Sequence, residues 1–418
     1  MGRIVVTLFF VLAIFLKCTQ GKDGDTLLKR TWRGKSKRAK KVRLKRLLDE
    51  IRAGSGNGIP KWFAPATWSA KHSASSKYAV LTAALGDSYY ARDGLMFCGT
   101  LRETGYDGDI VVAVQPDAQN SLLQQLRKCR AIVYVVGKSC VGVDPDLKCT
   151  LKDPNGGMIV NSPVNGFSPN VIRYQLYQWW LLQSYNHPHM QVMVADFADV
   201  FFQRNPFIYK TWEWSLPQYQ LALFQEPFPN KIISRCPFNS GWIRACYGEE
   251  ELRRVGANPV ICSGIVMGTR DALLSYTGLV IAHLDPRVRR GDAPATTGGN
   301  DKCASLGMDQ GLTNWLAYSG LLERYLSVKL MPQGEGPVNT IGGHVQGHRS
   351  VIKMSLRDWH VIREARDGSS SSKSIEITNW NGDLSPCVHQ ADRFVGQDLA
   401  YEDLKAFRAA NRHQNVSS

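Results

Sequence analysis

The chain has 418 residues, 44% of them apolar and 21% charged, a balance that supports a packed core and excludes whole-chain disorder. Its 37 glycines and 19 prolines exclude a collagen-like or low-complexity polymer, and ten cysteines are too sparse for a disulfide-built miniprotein. The formal charge is +15, but residues 22–48 hold twelve Lys/Arg against Asp23 and Asp25, so ten of those charges belong to one short segment. No nucleic-acid module signature accompanies them, and no nucleic-acid partner is expected.

Arg3 precedes the apolar run Ile4–Leu16, which Lys17 ends. At about 1.5 Å per helical residue this run is shorter than the ~30 Å core of a bilayer. Thr19 and Gly21 are small residues at the −3 and −1 positions of a cleavage site. Residues 1–21 therefore read as a signal peptide or, alternatively, a short Golgi-type anchor. Either places the protein in the secretory lumen, Golgi-held or secreted. Residues 22–70 read as a basic stem and linker that can touch a membrane or an acidic polymer, with Gly54–Gly58 as the flexible joint.

The body, 71–400, alternates strands and helices. Tyr78–Thr82, Asp109–Gln115, Ala131–Val136 and Gln191–Ala195 are apolar runs that suit buried strands. Residues 91–104 read as a helix ended by Gly105, and 117–128 as another. Ser168 and Pro169 open a further helix, capped by the serine, with Ile172, Leu176 and Trp180 on its apolar stripe. Interleaved strands and helices predict an α/β fold: a mainly parallel sheet with helices on both faces. Residues 401–418, with the sequon at Asn415, read as a tail.

Lumenal placement permits disulfides, and Cys140–Cys149 and Cys236–Cys246 are short-loop candidates. His344 and His348 are four apart, but the glycines around them oppose a helix that would aim both at one metal. The tryptophans Trp179, Trp180, Trp212 and Trp214 suit a core better than a sugar platform.

Ligands of such sheets bind beyond the carboxyl ends of the strands. Asp196 and Asp199 follow Gln191–Ala195 directly. Carboxylates at the end of a buried strand are costly unless neutralised, and a hard divalent cation can do this. The alternative is that Asp196 caps a turn and Asp199 opens a helix.

The segment Ala195–Phe207 (ADFADVFFQRNPF) resembles the metal-binding DxD motif of GT-A-fold nucleotide-sugar glycosyltransferases, closest to their glycogenin-like and plant and algal cell-wall-transferase-like branch. Other matches follow in order. Tyr78–Thr82 with Ala83, and Gly105–Val114, resemble the nucleotide-binding first half. Arg173 resembles the helix residue that faces the donor, and Cys262–Gly268 the strand that lines its pocket. Met308–Gly311 resembles the "DQ" element, and Asn381–Gln390 the segment that returns a histidine to the metal.

The resemblance spans about residues 75–395. It implies a GT-A fold, with a nucleotide-binding first half and an acceptor-side second half. It implies transfer of a hexosyl or pentosyl group from a nucleotide-sugar, UDP-linked by expectation, to a glycan or glycoprotein. Mn²⁺ or Mg²⁺ would be held by Asp196, Asp199 and His389. Thr82, Ala83, Arg173, Ser263 and Gly264 would bind the donor, and Asp309 and Gln310 would serve catalysis. The motif's usual spacing puts one residue between its carboxylates. Here two intervene, and Phe197 stands where the first carboxylate belongs. Asp199 is therefore the firmer ligand, and Asp196 serves only if the turn bulges. The alternative is a noncatalytic secreted carbohydrate-binding or scaffolding protein on the same fold. For Asp309 the alternative is a helix N-cap, for Arg173 an exposed helix charge, and for His389 a structural bond to Asp383 or Asp392.

Overall fold

The structure, a computed structural model, describes residues 25–54, 59–342, 362–365 and 374–390, except 74, 87–88, 144–145, 160–161, 186, 188–189, 210–219, 228–230 and 285–306. The expected signal or anchor (1–21), His344, His348, Trp212, Trp214, Asp392 and the tail lie outside the described residues.

In chain order the strands are β1 (Tyr78–Ala84), β2 (Asp109–Val114), β3 (Ile132–Val135), β4 (Gly137–Val141), β5 (Lys148–Lys152), β6 (Gln191–Ala195), β7 (Val200–Phe202), β8 (Leu221–Gln225), β9 (Ile261–Thr269), β10 (Val328–Met331), β11 (Val338–Thr340), β12 (Ile362–Ala365), β13 (Ser374–Ile377) and β14 (Cys387–His389). The helices are α1 (Asp25–Gly54), α2 (91–103, with a π turn at Leu95–Gly99), α3 (Asn120–Lys128), α4 (Pro169–Gln183), α5 (Pro237–Tyr247), α6 (Glu249–Val255), α7 (Arg270–Ala282), α8 (Met308–Tyr318) and α9 (Leu321–Tyr325).

Seven strands form the central sheet in the order β10-β8-β9-β6-β1-β2-β3. Every neighbouring pair is parallel except the two that involve β9, which runs against both β6 and β8. The α/β, mainly parallel expectation holds. Alternate residues of each strand feed two cores. Leu81, Val111, Val192 and Leu223 face one, with α4 and α7. Val80, Val112, Met193 and Met267 face the other, with α2 and α3. Burial on both faces is why these strands are apolar throughout instead of alternating with polar residues.

A second, three-stranded sheet, β11-β14-β7, joins the residues just after β6 to the C-terminal segment. Its strands are three residues each, yet the register is definite: Val200 lies opposite His389 and Phe202 opposite Cys387. Beyond it, β12 pairs antiparallel with β13, and β4 with β5.

Residues N-terminal to 71 contribute to the core. Leu48 of α1 is buried, and Leu44, Leu47 and Ile51 pack on the body. These positions are i, i+3, i+4 and i+7, one helical stripe. Ile51 lies so close to Gly278 of α7 that a Cβ there would come 2.4 Å from its Cδ1. Phe63 is 1% exposed against Tyr134 and Trp180, and Ala66 N–H donates to the Val133 carbonyl on the edge strand β3. Among the described residues, no helix is long and apolar enough to cross a membrane.

Cys140–Cys149 is bonded, as the sequence suggests, and staples the β4–β5 hairpin. A second disulfide, Cys98–Cys129, ties the π turn to the end of α3. The Cys236–Cys246 pairing is wrong: Cys236 is a free thiol that accepts from Asn239, while Cys246 is disulfide-bonded elsewhere. Helix α4 starts after Ser168 as expected, but the serine makes no side-chain cap bond. Its hydroxyl is buried without a partner among the described residues, and Pro169 pre-organises the first turn.

Candidate active site and metal centre

The order of the parallel strands reverses at β1, which lies between β2 and β6. Such a switch point opens a crevice at the carboxyl ends of its strands. β1 ends at Ala84 and β6 at Ala195, so the crevice is bordered by Leu85 and Gly86 on one side and by Asp196 on the other. Because β9 is antiparallel, it is its beginning, Ile261–Ile265, that reaches the same edge, with Ile265 opposite Ala195. The Asp196 N–H donates to the Gly264 carbonyl at 2.7 Å, locking the two ends together.

After Asp196 the chain bends through 197–199 and enters β7. Phe197 turns inward, 2% exposed, against Tyr89 and Phe97. This bend is the bulge that the longer spacing required. It brings the Asp196 and Asp199 carboxylates to one side, while the Phe between them fills the core. The antiparallel register of β7 and β14 then sets His389 beside Asp199. His389 Nε2 is 3.5 Å from an Asp199 oxygen and 3.6 Å from an Asp196 oxygen. One ligand atom from each of the three residues falls within 4.8 Å of the others.

Three observations fit a cation here. First, His389 is 1% exposed, yet its Nε2 makes no hydrogen bond. In the metal-free protein it is met by the Asp199 and Asp196 carboxylates at 3.5 and 3.6 Å, and a divalent ion between the three would bind all of them more closely. Second, Gly264 has no side chain where one would collide. A Cβ there would lie 2.5 Å from Asp196 Oδ2 and from His389 Cε1. Third, two carboxylates and an imidazole form a donor set suited to Mn²⁺ or Mg²⁺ together with substrate oxygens.

Gly264→Ala is accordingly expected to abolish metal binding and, through overpacking, to cost about 1–3 kcal/mol of stability. Thermal denaturation with and without Mn²⁺ checks both; a variant still stabilised by Mn²⁺ contradicts the cradle.

Burial alone would hold the His389 ring neutral. The adjacent Cys262 sulfur and Asp199 carboxylate outweigh it and raise the pKa well above the ordinary 6.5. In the metal-free protein this contribution to stability is complete below about pH 6.5 and is lost as pH rises through the folded-state pKa. A metal must displace that proton, so Mn²⁺ affinity is expected to rise with pH between 6 and 8 and its binding to release protons. Calorimetry in buffers of different ionisation enthalpy measures the release; pH-independent binding would contradict it.

Arg173 is not an exposed helix charge. Its side chain is 12% exposed and bridges Asp196, through Nη1, and Asp309, through Nη2 at 2.8 Å. Burial opposes its charge, but Asp309 beside it more than compensates and keeps the guanidinium protonated. Nη2 also lies 3.5 Å from the Ser263 carbonyl. Arg173 therefore ties the metal-side carboxylate to Asp309. Asp309 is buried in the first turn of α8, and Gly307, in the left-handed conformation, occupies the N-cap instead.

Gln310 spends its amide on Glu226 Oε1 at 2.7 Å and on the Ile261 carbonyl at 3.2 Å. Thr82 is fully buried within β1, with no partner for its hydroxyl among the described residues, and Ala83 is half-buried. The strand runs two residues further than expected, so the cleft beside it is lined by Ala84, Gly86, Tyr89, Gln115 and Asp117. His389 does not use Asp383, which accepts from Asn381 within its own turn.

Two residues escaped the sequence reading. Glu226 is 5% exposed and stands one residue past β8, the same strand-end signal that Asp196 gives. Tyr89 is kept protonated, first by burial and then by Asp199, at the rim of the cleft. It is the fourth residue after Leu85 in a loop that carries no motif.

No protein-family model and no curated protein matches the sequence. Among solved structures, an active-site mutant of LgtC overlays with a TM-score of 0.40 at 12% identity, over 79% of this chain and 95% of that one. Galactosyltransferase LgtC in complex with donor and acceptor sugar analogs overlays with a TM-score of 0.38 at 13% identity, over the same shares.

Proposed function

We propose that this protein is a metal-dependent glycosyltransferase of the GT-A type, moving a sugar from a nucleotide-sugar, UDP-linked by preference, to a glycan or glycoprotein acceptor in the secretory lumen. The observation that carries this reading is the meeting of Asp196, Asp199 and His389 around one point in the switch-point crevice, with Gly264 leaving the space open.

When bound, a divalent ion supplies Lewis-acid neutralisation of the charge that grows on the departing diphosphate. The chain's own groups do the rest. Asp196, whose Oδ1 is paired with Arg173 and whose Oδ2 faces His389, would be one of the residues that hold the ion. Arg173, shared by two carboxylates through Nη1 and Nη2, orients them. Asp309, held by Arg173 at the crevice floor, accepts a sugar hydroxyl. Gln310 fixes Glu226 on the acceptor side. The backbone of Ser263 and Gly264 gives the donor sugar a surface without side-chain bulk.

A thermal-shift panel of nucleotide-sugars, with and without Mn²⁺, tests this reading. Stabilisation by one nucleotide-sugar that requires Mn²⁺ supports it. Stabilisation by free sugars alone, indifferent to metal, favours the noncatalytic carbohydrate-binding alternative.

We further propose that the basic segment 22–48 holds the enzyme against an anionic membrane or acidic polymer. Leu44, Leu47 and Leu48 are used in docking α1 on the body, while Lys41, Arg43, Lys45 and Arg46 are exposed. Retention on heparin that falls steeply with salt, and is lost when the lysines and arginines of 29–46 are replaced, is the expected result.

A further inference from the structure

Phe238 is 70% exposed, more than any other aromatic side chain among the described residues. It stands in the first turn of α5, one turn before Trp242, and the two rings lie 5.9 Å apart and 33° from parallel. Trp242 is seated on the start of α8. A Cβ at Gly311 would come 2.6 Å from Trp242 Cβ, and one at Gly307 would come 2.4 Å from its Cζ2. A glycine inside a helix costs about 1 kcal/mol relative to alanine, so Gly311 gives up stability to admit the indole. The turn beneath the indole, Met308–Gly311, carries Asp309 and Gln310 of the crevice.

Glu226 meets the same stripe of α8. Gly307, Gln310, Gly311 and Asn314 are i, i+3, i+4 and i+7 and share one side of the helix. Trp242 covers the two glycines. Gln310 Nε2 donates to Glu226 Oε1 at 2.7 Å, while Asn314 Nδ2 donates to Asn239 Oδ1 of α5 at 3.2 Å and to the Ile261 carbonyl at 2.9 Å. Glu226 is 5% exposed, and among the described residues no cation pairs with it and its second oxygen takes no hydrogen bond. A buried carboxylate held by a single amide is short of donors. An exposed aromatic pair and such a carboxylate, fixed to one helix turn beside the crevice, suit a ligand with both an apolar face and hydroxyl groups. A pyranose ring has both: C–H groups on one face for the aromatic rings, and O–H groups at its edge for the carboxylate. A wholly apolar partner would leave the carboxylate as it is.

We propose that Phe238 and Trp242 form the stacking wall of an acceptor subsite that takes a pyranose ring, with Glu226 accepting one of the ring's hydroxyls. The proposal rests on the glycosyltransferase reading above and deepens it by naming the residues that select the acceptor.

The test uses the full chain with Mn²⁺ and UDP present, and the variants Phe238→Ala, Phe238→Tyr and Glu226→Gln. The probes are methyl β-D-galactopyranoside and methyl β-D-glucopyranoside. Saturation-transfer NMR reads their affinity and which of their protons lie against the protein, and calorimetry reads the affinity for UDP. Wild type is expected to bind at least one probe, with saturation strongest on the hydrogens of one ring face. Phe238→Ala should weaken that binding about 10-fold, the worth of a lost aromatic contact. UDP affinity should be unchanged, since the exposed ring contributes little to the core. Phe238→Tyr, which keeps the ring, should bind as wild type does, and Glu226→Gln should weaken binding by a factor similar to that of the alanine variant. Pyranoside binding that Phe238→Ala or Glu226→Gln leaves intact overturns the proposal. So does a wild type that binds UDP but neither probe; in both cases the glycosyltransferase reading stands. Pyranoside binding that depends on Phe238, in a protein that takes up no UDP with Mn²⁺, sinks that reading and leaves the subsite. Wild-type dimers in sedimentation that Phe238→Ala dissolves, without pyranoside binding, assign the face to a second copy and overturn the proposal as well.

Discussion

Asp199→Ala is expected to weaken Mn²⁺ binding by about 100-fold or more and to remove Mn²⁺-dependent UDP binding with it. The substitution deletes one of two carboxylates that face His389 Nε2, and Asp199 contributes little to the core. Loss of a direct ligand should exceed the 10–100-fold that outer partners cost. Asp196→Ala should have an equal or smaller effect on the metal, because half of that carboxylate is already engaged by Arg173. Asp383→Ala, in an exposed turn, serves as the control and should leave both affinities unchanged. Calorimetric titration of Mn²⁺ and then UDP separates the two steps. UDP affinity that survives in Asp199→Ala with Mn²⁺ present removes the residue from the metal site.

Arg173→Ala is expected to be the most destabilising single change in the crevice. The side chains of Arg173 and Asp309 are 12% and 2% exposed. Truncating the arginine leaves a buried carboxylate without its counter-charge, which typically costs about 3–5 kcal/mol. The loss is not the net worth of the pair, since most of it is the desolvation of what remains. Asp309→Asn added to Arg173→Ala should therefore recover part of the stability, a negative coupling that urea denaturation of the four species measures. Additive losses, or a single-mutant cost below about 1 kcal/mol, would mean that water replaces the guanidinium and that Arg173 does not organise the site.

The sheet was legible because β1, β2, β3 and β6 are buried on both faces and so appear as uninterrupted apolar runs. The site was legible through strand ends and through the resemblance of Ala195–Phe207 to a metal-binding motif. What could not be read follows from the same physics. The sheet β11-β14-β7 is built from three-residue strands, too short for any periodicity, and it alone brings His389 to Asp199. The Asp196–Asp199 spacing depended on a bend whose cause, the burial of Phe197, is tertiary. Arg173 pairs with a residue 136 positions away, which no local pattern encodes. The docking of α1 was readable in Leu44, Leu47, Leu48 and Ile51, but the surrounding charge drew the eye from the stripe. Short-loop proximity suggested Cys236–Cys246, yet Cys236 is the N-cap of α5 and Cys246 lies in its last turn, so the rigid helix keeps them apart.

The metal centre itself is tested most directly by anomalous scattering from crystals grown with Mn²⁺ and UDP, collected at the manganese edge. The expected result is one strong peak at coordination distance from Asp196, Asp199 and His389 Nε2, with the nucleotide diphosphate beside it. A peak bound elsewhere, or an ordered diphosphate in the crevice with no manganese between it and these three side chains, would contradict it.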